Sequence, residues 1–347
     1  MGIIVKNKYL FNFAVSYMGG GLKRLHGYVK WFNEHGGAWF IIHPQAEFLI
    51  SEFKNNRYFV ARQARYQRLF KDCTYLTDVR REIGIPDMYY SYGIPIYAKF
   101  GKVNWFHLSN VLPLYSKGIP LPLFDRIKLK FLGFRIKNNY HNADVIASDS
   151  PFSLSLVKIK ETEKLLLSLM ASDDELFHFK NSRHKKKENI ATVVGTQKYK
   201  ALKDSYHIFE MLRTTNRQLK LVLIGSEKHI PNDLRTNNDI IIKGVLKRKE
   251  VIEYLQESKF YISTTCIEGS YNAAAEGVLL ADESYISDIE PHRDLLENMP
   301  FETISVPSLS KPVLYVKRAD ISVAHLKVWE DIITDLVNQV SILLRKD

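Results

Sequence analysis

Two glutamates, Glu268 and Glu276, stand eight positions apart in the segment Ile-Glu-Gly-Ser-Tyr-Asn-Ala-Ala-Ala-Glu-Gly. The apolar, β-branched stretch 260–265 before them predicts a buried strand, and the Ala-rich stretch after Tyr271 predicts a helix. Glu268 and Gly269 then lie in the turn, where backbone N–H groups and the helix dipole attract a diphosphate. Because an ionised carboxylate accepts hydrogen bonds from neighbouring hydroxyl groups, this combination predicts a site for a nucleotide sugar.

A candidate cation for the diphosphate lies in the segment Val-Gly-Thr-Gln-Lys-Tyr-Lys at 194–200. Lys200 follows a strand–glycine turn at Gly195, from which an ammonium group can reach a β-phosphate as a point charge. A lysine in a solvated loop is the alternative.

Three glycines at 19–21 are a second candidate phosphate contact. They follow a predicted strand and precede a predicted helix, so Gly20 and Gly21 permit close approach of the backbone to a phosphate. The run lacks the GxGxxG spacing of dinucleotide-binding folds, and a flexible turn without a ligand is the alternative.

His107, in Asn-Trp-Phe-His-Leu-Ser-Asn at 104–110, lies near the end of a predicted strand, where α/β folds place ligand contacts. A single histidine is more often a hydrogen-bonded core or surface residue, so both interpretations stay open. The sequence contains no HExxH segment and no paired CxxC, and it predicts no metal site.

The order and spacing of these segments resemble the donor site of retaining GT-B glycosyltransferases, and most nearly the large bacterial family 4 of cell-surface polysaccharide synthesis. The segments are Met-Gly-Gly-Gly at 18–21, Asp-Asp-Glu-Leu-Phe at 173–177, Val-Gly-x4-Lys at 194–200, Glu-x7-Glu at 268–276 and Ser-Asp-Ile-Glu-Pro-His-Arg-Asp at 287–294. They span nearly the whole chain. The resemblance implies that Glu276 holds the ribose hydroxyls, that Glu268 contacts the sugar and that His107 lies near it.

The chain departs from the family pattern at two places that matter for the donor. Ser270 and Tyr271 replace the usual Phe-Gly pair, and Thr196 stands where the family carries an Arg. Lys198 or Lys200 must therefore act alone, or Arg248 substitutes for the missing Arg.

The activity that the resemblance implies is a metal-independent, retaining transfer of a hexose from a nucleoside-diphosphate sugar, with no further cofactor. Its implied acceptor is a glycan or a lipid-linked glycan. Positive side chains and helix N-termini would stabilise the leaving group. The catalytic candidates are His107, Glu268 and Lys200. The donor-binding candidates are Gly20, Gly21, Gly195, Lys198, Lys200, Arg248, Glu268, Gly269, Ser270, Tyr271, Asn272 and Glu276.

The net charge of +11 is placed unevenly along the chain. Residues 1–170 carry 24 Lys and Arg against 12 Asp and Glu, whereas the remainder carries 25 against 26. The excess positive charge therefore belongs to the first half, which indicates an anionic partner there: a membrane surface, a lipid diphosphate or a nucleic acid.

Two basic runs in the first half are candidates for an acceptor or membrane face. The first consists of Arg62, Arg65 and Arg68, whose three-residue spacing lines one face of a predicted helix at 63–83. The second is a predicted helix at 123–140, where the basic residues alternate with apolar ones. Its candidates are Lys128, Lys130 and Arg135. An ordinary solvated helix face explains either run equally well.

Two other functions stay open at this point. A nucleotide-sugar epimerase shares the fold and the diphosphate site, and it would need ionisable groups such as His107 at the sugar carbon. A non-catalytic nucleic-acid-binding protein would use the basic first half, but no RNA- or DNA-binding motif of the usual kinds is recognisable, so no nucleic acid partner is expected.

The chain of 347 residues is long enough for two domains. Strands alternate with helices, which predicts parallel α/β sheets covered on both faces. We expect the GT-B architecture, in which two doubly wound Rossmann-like domains face each other across a cleft. The predicted divisions are an acceptor domain at 1–178, a linker at 179–189 and a donor domain at 190–322, with an amphipathic helix at 323–347 that is a candidate to pack back onto the first domain.

The cysteines and the apolar runs indicate in which cellular compartment the protein works. Cys73 and Cys266 lie far apart without metal-ligand spacing, which predicts two buried thiols in a reducing, cytoplasmic environment. No apolar run approaches the roughly 18 residues of a membrane-spanning helix, and the first residues make a poor signal peptide. Peripheral attachment at the inner face of the cell membrane is compatible with both observations.

Overall fold

The computed structural model describes residues 8–62, 74–116, 118–171, 187–318 and 327–345. The chain divides into two compact units. The first unit contains Met1–Ser116, Leu123–Ser172 and Lys327–Asp347, and the second contains Lys117–Pro122 and Asp173–Leu326. The C-terminal segment therefore belongs to the first unit. Residues 187–189 of the predicted linker begin a strand, so that part of the prediction is wrong, and 179–186 lie outside the described residues.

The strands of the first unit alternate with helices, as predicted, because apolar strand segments are separated by amphipathic ones. The strands are β1 (Tyr9–Phe13), β2 (Trp39–Ile42), β3 (Arg57–Val60), β4 (Met88–Tyr92), β5 (Val103–Leu108), β6 (Val145–Ser148) and β7 (Leu165–Leu167). They form a parallel seven-stranded sheet in the order β3-β2-β1-β4-β5-β6-β7. The reversal of direction at β1 and β4 makes the sheet doubly wound.

The second unit has a mixed sheet. Its strands are β8 (Lys187–Val194), β9 (Lys220–Ile224), β10 (Ile240–Gly244), β11 (Ser258–Ser263), β12 (Glu283–Ser287), β13 (Glu302–Ile304) and β14 (Val313–Lys317). The order is β10-β9-β8-β11-β12-β14-β13. Strands β8 to β12 pair in parallel, whereas β14 pairs antiparallel with both β12 and β13.

The helices cover the faces of the two sheets. In the first unit they are α1 (Gly19–Glu34), α2 (Phe48–Glu52), α3 (Thr74–Ile83), α4 (Leu123–Asn138) and α5 (Pro151–Ser155). In the second they are α6 (Leu202–Arg213), α7 (Asn232–Arg235), α8 (Arg248–Glu257), α9 (Asn272–Leu280) and α10 (Glu290–Leu295). The last helix, α11 (Trp329–Leu343), returns to the first unit.

Helix α11 completes one face of the first core. Its side chains Ile333, Leu336 and Val340 are buried in the same cluster as the aromatic residues of β1 and α1. Gly27 of α1 is packed against the Trp329 indole so closely that an added Cβ would overlap the ring. The first unit therefore contains residues from both ends of the chain.

Helix α9 packs equally closely onto β11 in the second unit. The backbone of Gly277 lies against the ring of Tyr261, and a Cβ at Gly277 would overlap that ring. We expect Gly277→Ala to destabilise the second unit by about 1–3 kcal/mol, the usual cost of overpacking a core. Urea unfolding measures the loss, and a Tyr261→Leu background, which removes the ring, should recover part of it. An unchanged midpoint for Gly277→Ala would contradict this packing.

Candidate functional site

The site in the second unit is built around the connection from β11 to α9. Strand β11 ends at Ser263 and α9 begins at Asn272. Glu268 and Gly269 lie in the intervening turn, and Glu276 lies within α9, which are the positions that the sequence predicts. The backbone of this helix start provides N–H groups without intrahelical acceptors, and they are suited to an anion.

Glu268 is paired with Lys200. The Lys200 Nζ contacts the Glu268 Oε1, and the two side chains keep only 10% and 20% of their surface exposed. Burial opposes the charge on Lys200, but the Glu268 carboxylate, assisted by Tyr261 and Tyr199, outweighs this effect and raises the pKa of the ammonium group above its ordinary value. Lys200 is therefore held as a cation beside a carboxylate at the start of the α9 connection.

The backbone around Lys200 is held in an unusual conformation. Gly195 has φ +94°, and a Cβ there would lie 3.0 Å from the Lys200 Cε. Ala201, directly after the 3-10 turn Lys198–Lys200, has φ +47°, which is uncommon for a residue with a side chain. Thr264 Oγ1 donates to the Ala201 carbonyl oxygen at 2.9 Å. Thr264, which directly follows β11, thus holds the turn in this conformation. The hydrogen bond thereby keeps the backbone of Lys200 in place before any ligand binds.

Glu276 is paired with Arg248, the first residue of α8. Arg248 Nη1 lies 2.8 Å from Glu276 Oε1, and the Glu276 side chain is 10% exposed. Tyr261 of β11 connects this pair with the Lys200 pair. Burial, assisted by Glu268 and Glu276 and opposed by Lys200, raises the pKa of its hydroxyl to about 12. Both glutamates and Lys200 thus act on one buried side chain.

His292 of α10 belongs to the same cluster, although it was not among the predicted site residues. Its Nδ1 lies 2.7 Å from the Ser287 carbonyl oxygen. Burial and Lys200 lower the pKa of the imidazole to about 4 against the opposing effect of Glu268. The ring is therefore neutral near pH 7, Nδ1 carries the proton, and Nε2 is an acceptor. Among the described residues this buried Nε2 has no hydrogen-bond partner. The available signal was a histidine directly after Pro291, just past the segment 285–289 that the sequence predicts as a strand.

The lowered pKa of His292 predicts how stability depends on pH. In the unfolded chain this histidine binds a proton near its ordinary pKa of 6.5, whereas in the folded protein it does so only near 4. The free energy of unfolding should therefore be unaffected above pH 6.5 and fall by roughly 3 kcal/mol as the pH drops from 6.5 to 4. Urea unfolding of the second unit across this range measures the effect.

Two variants separate His292 from other titrating groups. His292→Asn keeps a donor for the Ser287 carbonyl and should flatten the pH dependence. His207→Asn changes an exposed histidine of the same unit and should leave it unchanged. Equal pH dependence in wild type and His292→Asn would contradict the assignment.

The remaining donor-binding candidates differ in their exposure. Lys198 is exposed, whereas Gly269, Ser270, Tyr271 and Asn272 are partly buried. The Asn272 Nδ2 donates to the Ser270 Oγ at 2.8 Å. Lys200, rather than Lys198, is the lysine that the structure places against a carboxylate.

His107 lies in the first unit, at the end of β5, and is completely buried. Its Nε2 is 3.0 Å from Asp149 Oδ1, and Arg24 Nη2 is 2.7 Å from the same oxygen. Burial and Arg24 lower the pKa of the imidazole to about 4, although Asp149 opposes them. In this geometry His107 is a neutral, hydrogen-bonded core residue, which is the alternative that the sequence left open. Its catalytic role stays a prediction.

Arg24 is the centre of a buried hydrogen-bond network in the first unit. The guanidinium group is fully buried, and it also donates to the carbonyl oxygens of Ser168 and Leu169 at 2.8 and 2.9 Å. It therefore connects α1 with the chain that follows β7. Gly20 and Gly21 occupy the first turn of α1, and a Cβ at Gly21 would lie 3.2 Å from the Ser16 Oγ. The glycine turn is closely packed, and its phosphate contact stays a prediction.

The basic candidates of the first unit are only partly described. Arg62 is exposed, and Arg65 and Arg68 lie outside the described residues. In α4, Lys128 and Lys130 are exposed, whereas the Arg135 guanidinium lies 4.7 Å from the centre of the Tyr97 ring. Of the predicted basic candidates, Lys128 and Lys130 of α4 are therefore the ones described on an exposed helix face.

The prediction of two buried thiols is wrong for Cys266, which is exposed. The residue follows β11, where the buried strand has ended and the chain turns outward, and only its backbone N–H is fixed, by the Tyr199 carbonyl at 2.7 Å. Cys73 lies outside the described residues.

Neither a metal cluster nor a membrane span is found among the described residues. No group of three or more His, Cys, Asp or Glu side chains there has a geometry that would hold a metal ion. None of the described helices combines the length and the apolar character needed to cross a bilayer.

No family model and no curated protein matches this chain. Solved structures do share its architecture. HepE of Anabaena, solved in complex with UDP and glucose, matches 83% of each chain with a TM-score of 0.58 and 11% sequence identity. AviGT4, a glycosyltransferase involved in avilamycin A biosynthesis, matches 98% of this chain and 99% of its own, with a TM-score of 0.55 and 9% identity.

An epimerase shares the architecture as well. The UDP-GlcNAc 2-epimerase of Methanocaldococcus jannaschii matches 95% of this chain and 99% of its own, with a TM-score of 0.51 and 10% identity. The fold class is therefore GT-B, with two Rossmann-like sheets, as the sequence predicts. At these identities the similarities show the fold alone, and the reaction must be argued from the site.

Proposed function

We propose that this protein is a glycosyltransferase that moves a hexose from a nucleoside-diphosphate sugar to an acceptor. The observation that carries the proposal is the pair of partly buried carboxylate–cation contacts, Lys200 with Glu268 and Arg248 with Glu276, at the α9 connection. Charged residues that serve only solubility lie in solvent and do not form a partly buried cluster of this kind. A ligand with both phosphates and hydroxyl groups would use every part of the cluster.

Each part of the cluster suits one part of the donor. A carboxylate accepts several hydrogen bonds, so Glu276 can bind ribose hydroxyls while Arg248 holds it, and Glu268 can bind the sugar. The backbone N–H groups at the start of α9 and the Lys200 ammonium suit the diphosphate.

The same arrangement favours bond cleavage. When the bond between the sugar and the diphosphate breaks, negative charge grows on the departing phosphate oxygen. Lys200 and the start of α9 are positioned before the reaction, so they can stabilise this charge without reorganisation. We propose retention of configuration, by attack on the same face as the leaving group, without a metal ion. No described side chain of the second unit is singled out as a nucleophile.

The proposed acceptor is a lipid-linked glycan used in cell-surface polysaccharide synthesis, such as lipopolysaccharide or capsule, and the proposed place of work is the inner face of the cell membrane. The support is the excess of positive charge in residues 1–170, where 24 basic residues stand against 12 acidic ones. A lipid diphosphate and an anionic membrane both complement this charge. A nucleic acid is not needed to explain it.

A nucleotide-sugar epimerase is the second candidate, because epimerases share the fold at similar TM-scores. The two functions differ in their need for an acceptor. An epimerase interconverts two nucleotide sugars by itself, whereas a transferase releases the nucleoside diphosphate only as the sugar is moved. Product analysis of the enzyme with a nucleotide sugar alone separates them.

The experiment that tests the donor site is thermal stabilisation by UDP, GDP, dTDP, ADP and CMP. A ligand at about 100 times its dissociation constant adds roughly 2.7 kcal/mol of stability, which a melting curve detects. One nucleoside diphosphate should stabilise the protein and thereby identify the base. Stabilisation by none of them would contradict the proposed function.

A further inference from the structure

Helix α4 presents apolar side chains on two opposite sides. It buries Leu132 and Ile136 against the first unit. Five of its other large apolar residues are exposed, among them Leu123 at 74% and Phe124 at 77%. The exposed set, called the apolar stripe below, is Leu123, Phe124, Ile127, Phe131 and Phe134. At 3.6 residues per turn these five fall within an arc of about 100°, on the side away from Leu132.

Basic residues border the apolar stripe along both edges. By the same helical geometry, Lys128 and Arg135 lie beside one edge, and Arg126, Lys130 and Lys137 lie beside the other. The helix contains one acidic residue, Asp125, which is placed away from the stripe. The surface is therefore an apolar band between two positive borders.

This pattern differs from a solvated helix face, where polar residues replace apolar ones. Soluble monomers rarely expose a continuous apolar patch of this kind unless it contacts something. A second copy of the chain would place positive borders against positive borders, which repel. A bilayer containing anionic lipid matches both features, because the acyl region takes the apolar band and the phosphates take the cations.

We propose that α4 binds to an anionic lipid bilayer, with its axis parallel to the surface and the apolar stripe inserted at the boundary between headgroups and acyl chains. Long basic side chains at the borders extend to the phosphates. The proposed function includes attachment to a membrane, and this inference assigns that attachment to one helix. It rests on the proposed function only for the identity of the acceptor. Binding of lipid itself does not depend on sugar transfer.

The test is cosedimentation of the full chain with vesicles of phosphatidylcholine, with and without phosphatidylglycerol. We expect binding to the mixed vesicles that weakens as salt is raised, and little binding to phosphatidylcholine alone. Phe124→Glu combined with Ile127→Glu should reduce partition into mixed vesicles by at least about tenfold. Lys128→Gln combined with Lys130→Gln should reduce it by roughly fivefold per charge removed.

A matched control is Ile85→Glu, which places the same charge at another exposed apolar residue of the first unit, 60% accessible. It should bind vesicles like wild type. All the substituted residues are exposed, so the melting temperatures of the variants should equal that of the wild type. A nucleoside diphosphate should also stabilise every variant as much as it stabilises the wild type. That second measurement separates failure of lipid binding from failure of the donor site.

Three results would overturn the proposal. One is equal binding of wild type and the Phe124→Glu, Ile127→Glu variant. Another is the absence of binding to either vesicle. The third is self-association of the wild type without lipid that the same variant abolishes, because the stripe would then be an interface between copies of this chain.

Discussion

Glu276→Gln is expected to weaken binding of the nucleoside diphosphate by about 10- to 100-fold. The substitution keeps the size of the side chain but removes the negative charge that Arg248 now holds at 2.8 Å. A hydrogen bond to a charged acceptor contributes about 1.5–3 kcal/mol, so the loss corresponds to one or two factors of ten. Isothermal titration with the nucleotide that stabilises the protein most measures it directly.

Two controls define what the Glu276 result means. Glu297→Gln removes an exposed carboxylate of the same unit and should leave affinity unchanged. Arg248→Gln removes the partner and should weaken binding too, since the carboxylate is then no longer held in place. An affinity of Glu276→Gln within about twofold of wild type would contradict the role of this residue at the ribose.

Lys200→Met is expected to lower the rate of sugar transfer by about 10²- to 10³-fold. A single positioned donor to a developing negative charge is worth this much in enzymes where it has been removed. The apolar replacement fills much of the same space in a side chain that is 10% exposed. The measurement is kcat with a nucleotide sugar and acceptor, compared with KM to separate rate from binding.

The effect on stability must be separated from the effect on rate. Lys200→Met leaves the Glu268 carboxylate without its cation, and since Glu268 is 20% exposed we expect a loss of about 1–2 kcal/mol, below the value for a fully buried pair. The combination Lys200→Met with Glu268→Gln should restore stability but not transfer. A variant that recovers stability and also transfers sugar at the wild-type rate would rule out Lys200 as the stabiliser of the leaving group.

Elements with strong local patterns were predictable from the sequence. The sequence alone predicts a strand at Val103–Leu108 and a helix at Arg248–Glu257, and β5 and α8 have these bounds. Continuous apolar runs and helical spacing are both local signals. Strand β4 was missed. Its sequence Met-Tyr-Tyr-Ser-Tyr contains polar groups and lacks a continuous apolar run, yet every residue of the strand is buried in the sheet. The Ser91 hydroxyl is accommodated there because its Oγ donates to the Ile94 carbonyl oxygen at 2.7 Å.

The short antiparallel strands β13 and β14 were also missed. They have three and five residues, too few for a periodic pattern to stand out, and β14 gains its place by pairing with β12. Strand formation in such cases depends on the neighbour more than on the segment itself.

The candidate site was predictable in its positions but not in its contacts. Glu268 and Glu276 lie in the turn and helix that their flanking residues indicate. The cations that hold them come from 68 and 28 positions away, and sequence spacing cannot supply such distances. Arg24 shows the same limit more strongly. It reads as a surface charge on an amphipathic helix, yet it is buried against Asp149, which lies 125 positions away.

The return of α11 to the first unit has a consequence for the order in which the chain matures on the ribosome. The second unit uses one long continuous segment, Asp173–Leu326, apart from a short piece just before Leu123. The first unit is begun earlier but lacks Ile333, Leu336 and Val340 of its core until the last helix has been made. At about 5–20 residues per second, its aromatic face stays open for roughly 10–30 s while the other unit is synthesised. The first unit thus completes its core only after the second unit has been made, and it is the one that needs protection from aggregation during translation.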